Sequence, residues 1–241
     1  MQRFEHELIP GTLVRRYKRF LADVELADGR LVTVHCANPG AMRSCSEPGR
    51  PVRLSDSRNP KRKLRLSLEM IRMGRTWVAI NTARPNRTVR RLIAAGRIPE
   101  LRGYGEIVAE VPYGAGGRSR VDLLLRDPAG GRPECYVEVK NTTYRPPGAE
   151  RYAAFPDAVT ARGKKHLEDL MAVVASGSRA VIFFHVGRAD ARRFRPADEI
   201  DPAYGRVLRR AVAAGVEPLA YRMRVSPRGI ELAGRLPVDL G

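Results

Sequence analysis

Arg118-Ser119-Arg120-Val121-Asp122 runs into the apolar stretch Leu123-Leu124-Leu125, a Pro/Gly-rich turn follows from Asp127 to Pro133, and then comes Cys135-Tyr136-Val137-Glu138-Val139-Lys140. Both arms are short, rich in Val, Leu and Tyr, and separated by turn residues, which predicts a hairpin of two strands. Side chains alternate across a strand, so Glu138 and Lys140 share one face and Val137 and Val139 the other. A hairpin brings Asp122 beside the Glu138/Lys140 face. Two carboxylates and an ammonium then converge at the end of a sheet. Carboxylates so placed suit Mg²⁺, which keeps several waters and takes one or two protein carboxylates plus substrate phosphates. A metal held there can activate a water and neutralise phosphoryl charge, with Lys140 orienting either one.

Glu-x-Lys on a strand is also the pattern of a solvated ion-pair face. Two features favour the chemical reading. Asp122 precedes an apolar run, where burial makes an unpaired carboxylate costly. The chain also has 6 Lys against 38 Arg. A sequence that writes Arg almost everywhere keeps Lys at position 140, where a compact, tunable ammonium differs from a planar fork.

Asp122 with Glu138-x-Lys140 resembles the PD-(D/E)XK nuclease superfamily, whose core is helix, three strands, helix, strand. Its Asp lies on the second strand and its Glu-x-Lys on the third. More narrowly, the chain is similar to the sugar fermentation stimulation protein A family from about residue 10 onward. The segments that carry the likeness include Gly11-Thr12-Leu13, Arg16-Tyr17-Lys18-Arg19-Phe20, Asn38-Pro39-Gly40-Ala41-Met42, Asn59-Pro60-Lys61-Arg62-Lys63-Leu64 and Asn81-Thr82. They continue with Ser119-Arg120-Val121-Asp122, Val137-Glu138-Val139-Lys140-Asn141, Phe155-Pro156-Asp157-Ala158-Val159-Thr160 and Arg162-Gly163-Lys164-Lys165-His166-Leu167. The resemblance implies a DNA-binding protein linked to sugar-utilisation regulation, with an N-terminal OB-like domain. It also nominates Arg162, Lys165 and His166 on a helix after the strands. Superfamily members often carry an extra acid on the first helix. The helix expected here has none, and the first acid after it, Glu100, is the candidate.

The net charge is +18 over 241 residues, with a pI near 10.8, which points to a polyanionic partner. Residues 1–85 hold 17 Lys and Arg against 8 Asp and Glu, a net +9, so half the charge sits on about a third of the chain. The densest run is Arg58 to Arg65, with Arg58, Lys61, Arg62 and Lys63. Cys36, Cys45 and Cys135 form no C-x-x-C pair, which argues against zinc and for reduced thiols in a cytoplasm. The first residues lack the apolar segment of a signal peptide, and no apolar run approaches membrane-spanning length.

Along the chain, residues 11–26 read as one long strand with a possible bulge. Asp28-Gly29 marks a hairpin turn. Strands are expected at 31–36, 51–55, 66–73 and 76–81, which together suit a small barrel of OB type. Tyr17 and Phe20 flank Lys18 and Arg19, a combination suited to stacking bases beside a basic groove; Phe20 and Trp77, however, read first as barrel core, since a small barrel needs such bulk. Helices are expected at 87–95, 160–175 and from Asp201-Pro202 to Gly215. Further strands are expected at 107–112, 179–187 and 216–225, and an irregular, lid-like loop at 145–155. On the 160–175 helix the stripe Leu167, Leu170, Met171, Val174 puts Lys164 at its border and Lys165 nearly opposite. Helical geometry thus nominates Lys164 for the site and the family resemblance Lys165.

The fold expected is α+β with two domains: an OB-like basic β-barrel over residues 1–84, and a PD-(D/E)XK nuclease-like α/β domain with a mixed sheet over 85–241. The function expected is a Mg²⁺- or Mn²⁺-dependent phosphodiesterase acting on DNA, with one or two ions on Asp122 and Glu138 and with Lys140 assisting the attacking water. Arg16, Lys18, Arg19, Arg58, Lys61, Arg62, Lys63, Arg162, Lys164 and Lys165 would grip phosphates. The alternatives are a non-enzymatic DNA-binding regulator and an RNA-associated protein.

Overall fold

The computed structural model describes residues 1–114, 119–148 and 150–241. Arg118 at the head of the quoted stretch, and Ala149 within the expected 145–155 loop, lie outside the described residues.

Six strands make the first sheet: β2 (Ile9–Tyr17), β3 (Leu21–Leu26), β4 (Leu31–His35), β5 (Pro51–Asp56), β6 (Leu66–Met73) and β7 (Thr76–Ala79). (The preceding β1 is Gln2–Arg3.) Their order is β4-β3-β2-β5-β6-β7, and a parallel contact of His35 with Ser67 closes five of them into a barrel. Alternate residues Leu13, Val24, Val34, Val52, Leu54 and Leu68 fill its interior. The long strand expected over 11–26 is in fact a hairpin, in which Tyr17 pairs with Leu21 and Lys18-Arg19-Phe20 form the loop. No Gly, Asn or Asp marks this turn, yet Lys18 (φ 47) and Arg19 (φ 62) both adopt left-handed backbone. An interaction distant in sequence holds it. Arg16 Nη2 donates to the carbonyls of Arg19, Asn38 and Gly40, at 3.0, 2.8 and 2.8 Å.

The second sheet has seven strands in the order β1-β15-β14-β12-β10-β9-β8. They are β8 (Glu106–Tyr113), β9 (Ser119–Arg126), β10 (Cys135–Thr142), β12 (Arg179–Val186), β14 (Glu217–Ser226) and β15 (Gly229–Leu236), with β1 at the edge. The strands β10, β12 and β14 run parallel. β12 is buried on both faces along nearly its whole length, as its continuous apolar run requires at the centre of such a sheet. α1 (Arg84–Ala94) covers one face through Val89 and Ile93, while α2 (Ala161–Ala175) and α3 (Pro202–Ala213) cover the other through Leu167, Leu170, Tyr204 and Leu208. Pro85 sits in the first turn of α1, where its missing N–H costs nothing. Thr160 caps α2 by accepting from Gly163 N at 2.9 Å. Asp201 caps α3 through Tyr204 N and accepts from Thr160 N with its other oxygen, so one carboxylate sets the start of both helices.

Three sequence expectations are corrected here. Residues 2–3 hydrogen-bond to Gly229 and Ile230 of β15, so the chain begins in the second sheet and not in a 1–84 barrel. The strand β15 was not expected at all. Part of the supposed loop, Tyr152–Phe155, is strand β11, paired in parallel with β13 (Arg193–Pro196).

The two domains are joined by buried polar contacts. Ala79 N donates to Gly187 O at 2.8 Å. Arg188, 2% exposed, grips Asp190 with two nitrogens and donates Nη1 to Thr143 O and Ser44 Oγ. Arg84 donates to both oxygens of the buried Glu69 of β6. No described helix is long and apolar enough to cross a membrane.

Two consecutive non-glycine residues at positive φ store strain at the 18–20 turn. Replacing them by the Asn-Gly pair suited to such backbone, Lys18→Asn/Arg19→Gly, should raise stability by about 1–2 kcal/mol. A urea-denaturation midpoint measures this; a lowered midpoint would show that the Lys and Arg side chains stabilise the turn.

Candidate functional site

The hairpin of β9 and β10 is paired from Cys135↔Leu125 to Val137↔Leu123, and there the ladder stops. Continued by one step, the register would set Asp122 opposite Glu138. At that point the Asp122 carboxylate replaces a backbone partner: Oδ2 accepts from Val139 N at 2.7 Å. Oδ1 accepts from Asn86 Nδ2 of α1 at 2.7 Å. Asp122 is therefore held at the mouth of the opened hairpin by one strand and one helix.

Glu138 is 2% exposed. Its Oε1 accepts from Lys140 Nζ at 2.7 Å and is in short contact with His166 Nδ1 of α2. Arg162 Nε donates to His166 Nε2 at 3.3 Å, which leaves the ring proton on Nδ1, facing Glu138. All the hydrogen bonding of Glu138 thus falls on one oxygen. Oε2 is buried and has no partner among the described residues. The hydroxyls of Tyr113 and Tyr204, whose surroundings include the Glu138 charge, are likewise buried and unpartnered.

Asp122, Glu138 and Lys140 are brought together as their spacing implies. On α2 neither nominated lysine reaches the carboxylates. Lys164 faces Asp201 at 3.7 Å, and Lys165 binds Asp169 at 2.7 Å and Ser119 Oγ at 2.6 Å. His166 reaches them instead, and its position was readable: it lies four residues before Leu170, on the same apolar stripe. Glu100 is not at the site. Its oxygens accept from Tyr221 OH at 2.7 Å and face Arg235 at 3.2 Å. The helical residue that meets Asp122 is Asn86, which the search for acids could not register.

On the barrel, Arg16 is occupied as the tether of the 18–20 turn. Lys18, Arg19, Arg58, Lys61, Arg62 and Lys63 are exposed and, among the described residues, in no ion pair. Phe20 is 48% exposed. Trp77 is partly buried against the second domain's core beneath Arg53.

The electrostatics set the two carboxylates apart. Burial first, and the nearby Glu138 charge second, push Asp122 up to about 6 despite the Val139 N–H, Lys140 and Asn86. Burial also opposes charge on Glu138, but His166 and Lys140 outweigh it and hold this carboxyl below its usual range. Among the described residues no cluster of three His, Cys, Asp or Glu forms a ready-made metal cage. The donor set nevertheless fits a hard divalent cation that keeps most of its waters: two carboxylates, one with a buried oxygen lacking any partner, and mutual repulsion that a cation would relieve. A zinc-like all-protein site does not fit.

Comparison with known proteins finds the same two-part organisation. The family model described as the sugar fermentation stimulation protein RE domain matches residues 83–229, and that of the SfsA N-terminal OB domain matches residues 14–80. A sugar fermentation stimulation protein homolog from Pelobacter propionicus is 58% identical over 97% of this chain and 98% of its own length. One from Acidithiobacillus ferrooxidans is 54% identical over 96% and 97%. The solved structure of SfsA from Pyrococcus furiosus in complex with Ca²⁺ superposes with a TM-score of 0.87 at 27% identity, covering 99% of both chains.

Asp122 is raised in the folded chain, from 3.8 to about 6. Its contribution to metal-free stability is fully present below about pH 4 and is lost as pH climbs through 6. In EDTA, the parent should therefore lose stability relative to Asp122→Asn between pH 4 and 7, by on the order of 2 kcal/mol. Urea titrations across that range measure the difference; parallel curves would show that Asp122 is not raised.

Proposed function

The chain belongs to the sugar fermentation stimulation protein family, and we propose that it is a nucleic-acid-binding, divalent-metal-dependent phosphodiesterase acting on DNA. The observation that carries this reading is the Glu138 carboxylate. One of its oxygens is held by Lys140 and His166, and the other is buried with no partner among the described residues, within reach of the Asp122 charge. An unpaired buried oxygen costs about 1–3 kcal/mol, a cost that a bound cation would offset. Calcium in the Pyrococcus furiosus relative supports a site for a hard divalent cation in this fold.

Asp122 and Glu138 would hold Mg²⁺ or Mn²⁺. The chemistry a bound cation supplies there is charge neutralisation at the phosphodiester and a water of lowered pKa. The chain's own groups do the rest. His166, steered by Arg162, turns Glu138 so that Oε2 faces away from the ion pair. Asn86 and Val139 N hold the Asp122 oxygens in place before any ligand arrives. Lys140, 12% exposed and 2.7 Å from Glu138, places a positive charge where an attacking water or a phosphate oxygen must sit. Arg162 lies exposed at the rim beside His166.

The exposed cations supply the grip. Four of them, Arg58, Lys61, Arg62 and Lys63, project from the β5–β6 loop of the barrel. Affinity for DNA should fall steeply with salt, with a slope of roughly −0.9 per phosphate contact on duplex. Reversing these four charges should cost more affinity than reversing Arg192 and Arg193 on the far strand β13 side. Of that pair, Arg193 already faces Asp239 at 3.3 Å. Filter-binding titrations over a salt series measure both; equal losses would remove the barrel loop from the binding surface.

Asp122→Asn and Glu138→Gln should each abolish Mg²⁺-dependent nicking of plasmid DNA while leaving binding in EDTA unchanged or tighter, since each removes a negative charge facing phosphate. Lys140→Ala should lose nicking and some affinity. Nicking that persists in all three would place any activity elsewhere. A parent that binds but never nicks, with either Mg²⁺ or Mn²⁺, would leave a DNA-binding regulator as the function.

A further inference from the structure

The hydrogen bonds between the domains tie one barrel loop to the two helix starts that wall the carboxylates on either side. One wall is the start of α1: Thr82 N donates to Ala37 O at 3.0 Å, and Asn86, four residues on, holds Asp122. The other wall is the start of α2: Asp157 Oδ2 accepts from Met42 N at 2.9 Å, and Arg162 and His166, five and nine residues on, lead to Glu138. The barrel loop 37–42 therefore spans from one wall to the other. Gly40 fits there because a Cβ would lie 2.5 Å from the Asp157 carboxylate. Onto this loop Arg16 ties the tip of the β2–β3 hairpin, through the carbonyls of Asn38, Gly40 and Arg19.

That tip is Lys18-Arg19-Phe20. It combines three features that folding alone disfavours. Both cations occupy left-handed backbone, which Asn and Gly adopt with less strain. Neither cation has a carboxylate partner among the described residues. An aromatic ring beside them is left 48% exposed although the barrel has an apolar interior to receive it. A second exposed apolar side chain, Val159 at 70%, lies two residues after Asp157 on the opposite wall. Strained, unpaired and solvent-facing groups gathered on one hairpin tip are the mark of a surface kept for a ligand. The charges select a polyanion. The exposed ring selects one that can offer the flat face of a base, which a fully stacked duplex does not present.

We infer that the hairpin tip Lys18-Arg19-Phe20, continuous through loop 37–42 with Val159 and Arg162, guides an unpaired polynucleotide strand toward Asp122 and Glu138. One base stacks on Phe20 and the flanking phosphates contact Lys18 and Arg19. This rests on the proposed nucleic-acid function and narrows its substrate to strands with an unpaired segment. The β5–β6 loop, by contrast, carries five cations, of which Arg65 is paired with Asp56, and no aromatic residue between Arg58 and Arg65, and so has no means of distinguishing single strands from duplex.

The test uses the full chain in EDTA, with a fluorescent oligothymidylate and a blunt duplex of equal length, read by anisotropy over a salt series. Phe20→Ala should weaken single-strand binding about 5- to 150-fold, the range for loss of one stacked base. It should leave duplex binding within about twofold and the salt slope unchanged. Phe20→Trp should retain single-strand affinity and show indole quenching on binding beyond that of the parent, which has only Trp77. Lys18→Asn/Arg19→Gly should flatten the single-strand salt slope by roughly 1.4, two contacts at about 0.7 each. Equal losses on both substrates with Phe20→Ala, or none on the single strand, would overturn the stacking surface while leaving the phosphodiesterase reading intact. A parent that binds neither oligonucleotide would overturn both.

Discussion

The backbone N–H of Val139, donated to Asp122 and not to a neighbouring strand, is the contact on which the site depends. A β-ladder that continued past Leu123↔Val137 would satisfy this N–H with a carbonyl and leave the Asp122 side chain to the sheet face. Because the carboxylate intervenes, the hairpin opens by the width of a side chain just where it meets the two helix starts. The opening exposes the edge of an otherwise buried sheet, and an unpaired N–H there would be costly. Asp122 therefore supports the fold and the chemistry together, which explains why its burial is tolerated although burial and Glu138 both oppose its charge.

Glu138 faces the opposite balance. It is more deeply buried than Asp122 but stays ionised because Lys140 and His166 both address one of its oxygens. Breaking such a pair by removing one partner leaves an uncompensated charge and is costly, whereas the intact set is close to neutral for stability. The arrangement is thus poor as a stability device and well suited to presenting one free oxygen in a fixed direction. Asn86 and His166 act on the orientation of the carboxylates, while Arg162 both steers His166 and stands exposed at the rim.

The barrel is joined to the second domain by charges and carbonyls as well as by the apolar packing of Met70, Trp77 and Ala79 into its core. Glu69 with Arg84, Arg188 with Asp190 and Thr143, and Asp157 with the loop at Met42 each join residues far apart in the chain. Buried polar contacts of this kind are directional, and they fix one orientation where an apolar face would tolerate several. Their consequence is that the hairpin tip and the α2 start belong to one rim.

What the sequence determined by itself is what local periodicity governs. The period-2 alternation places Glu138 and Lys140 on one face. The turn at Asp127–Pro133 brings Asp122 beside them, and the short strands with turn signals spell a barrel followed by an α/β sheet. These follow because alternation and turn chemistry act over a few residues. Tertiary structure decided the rest. The turn at Lys18-Arg19 exists because Arg16 finds carbonyls twenty residues away, and no local signal marks it. Glu100 is removed from the site by Tyr221 and Arg235, which lie more than a hundred residues later. His166 lies on the apolar stripe of its helix, which the sequence shows, but only the folded chain brings Asp201 and Asp169 to hold Lys164 and Lys165 away from the carboxylates. The first residues cover part of the β15 edge, and only the folded chain brings Gln2 to Ile230.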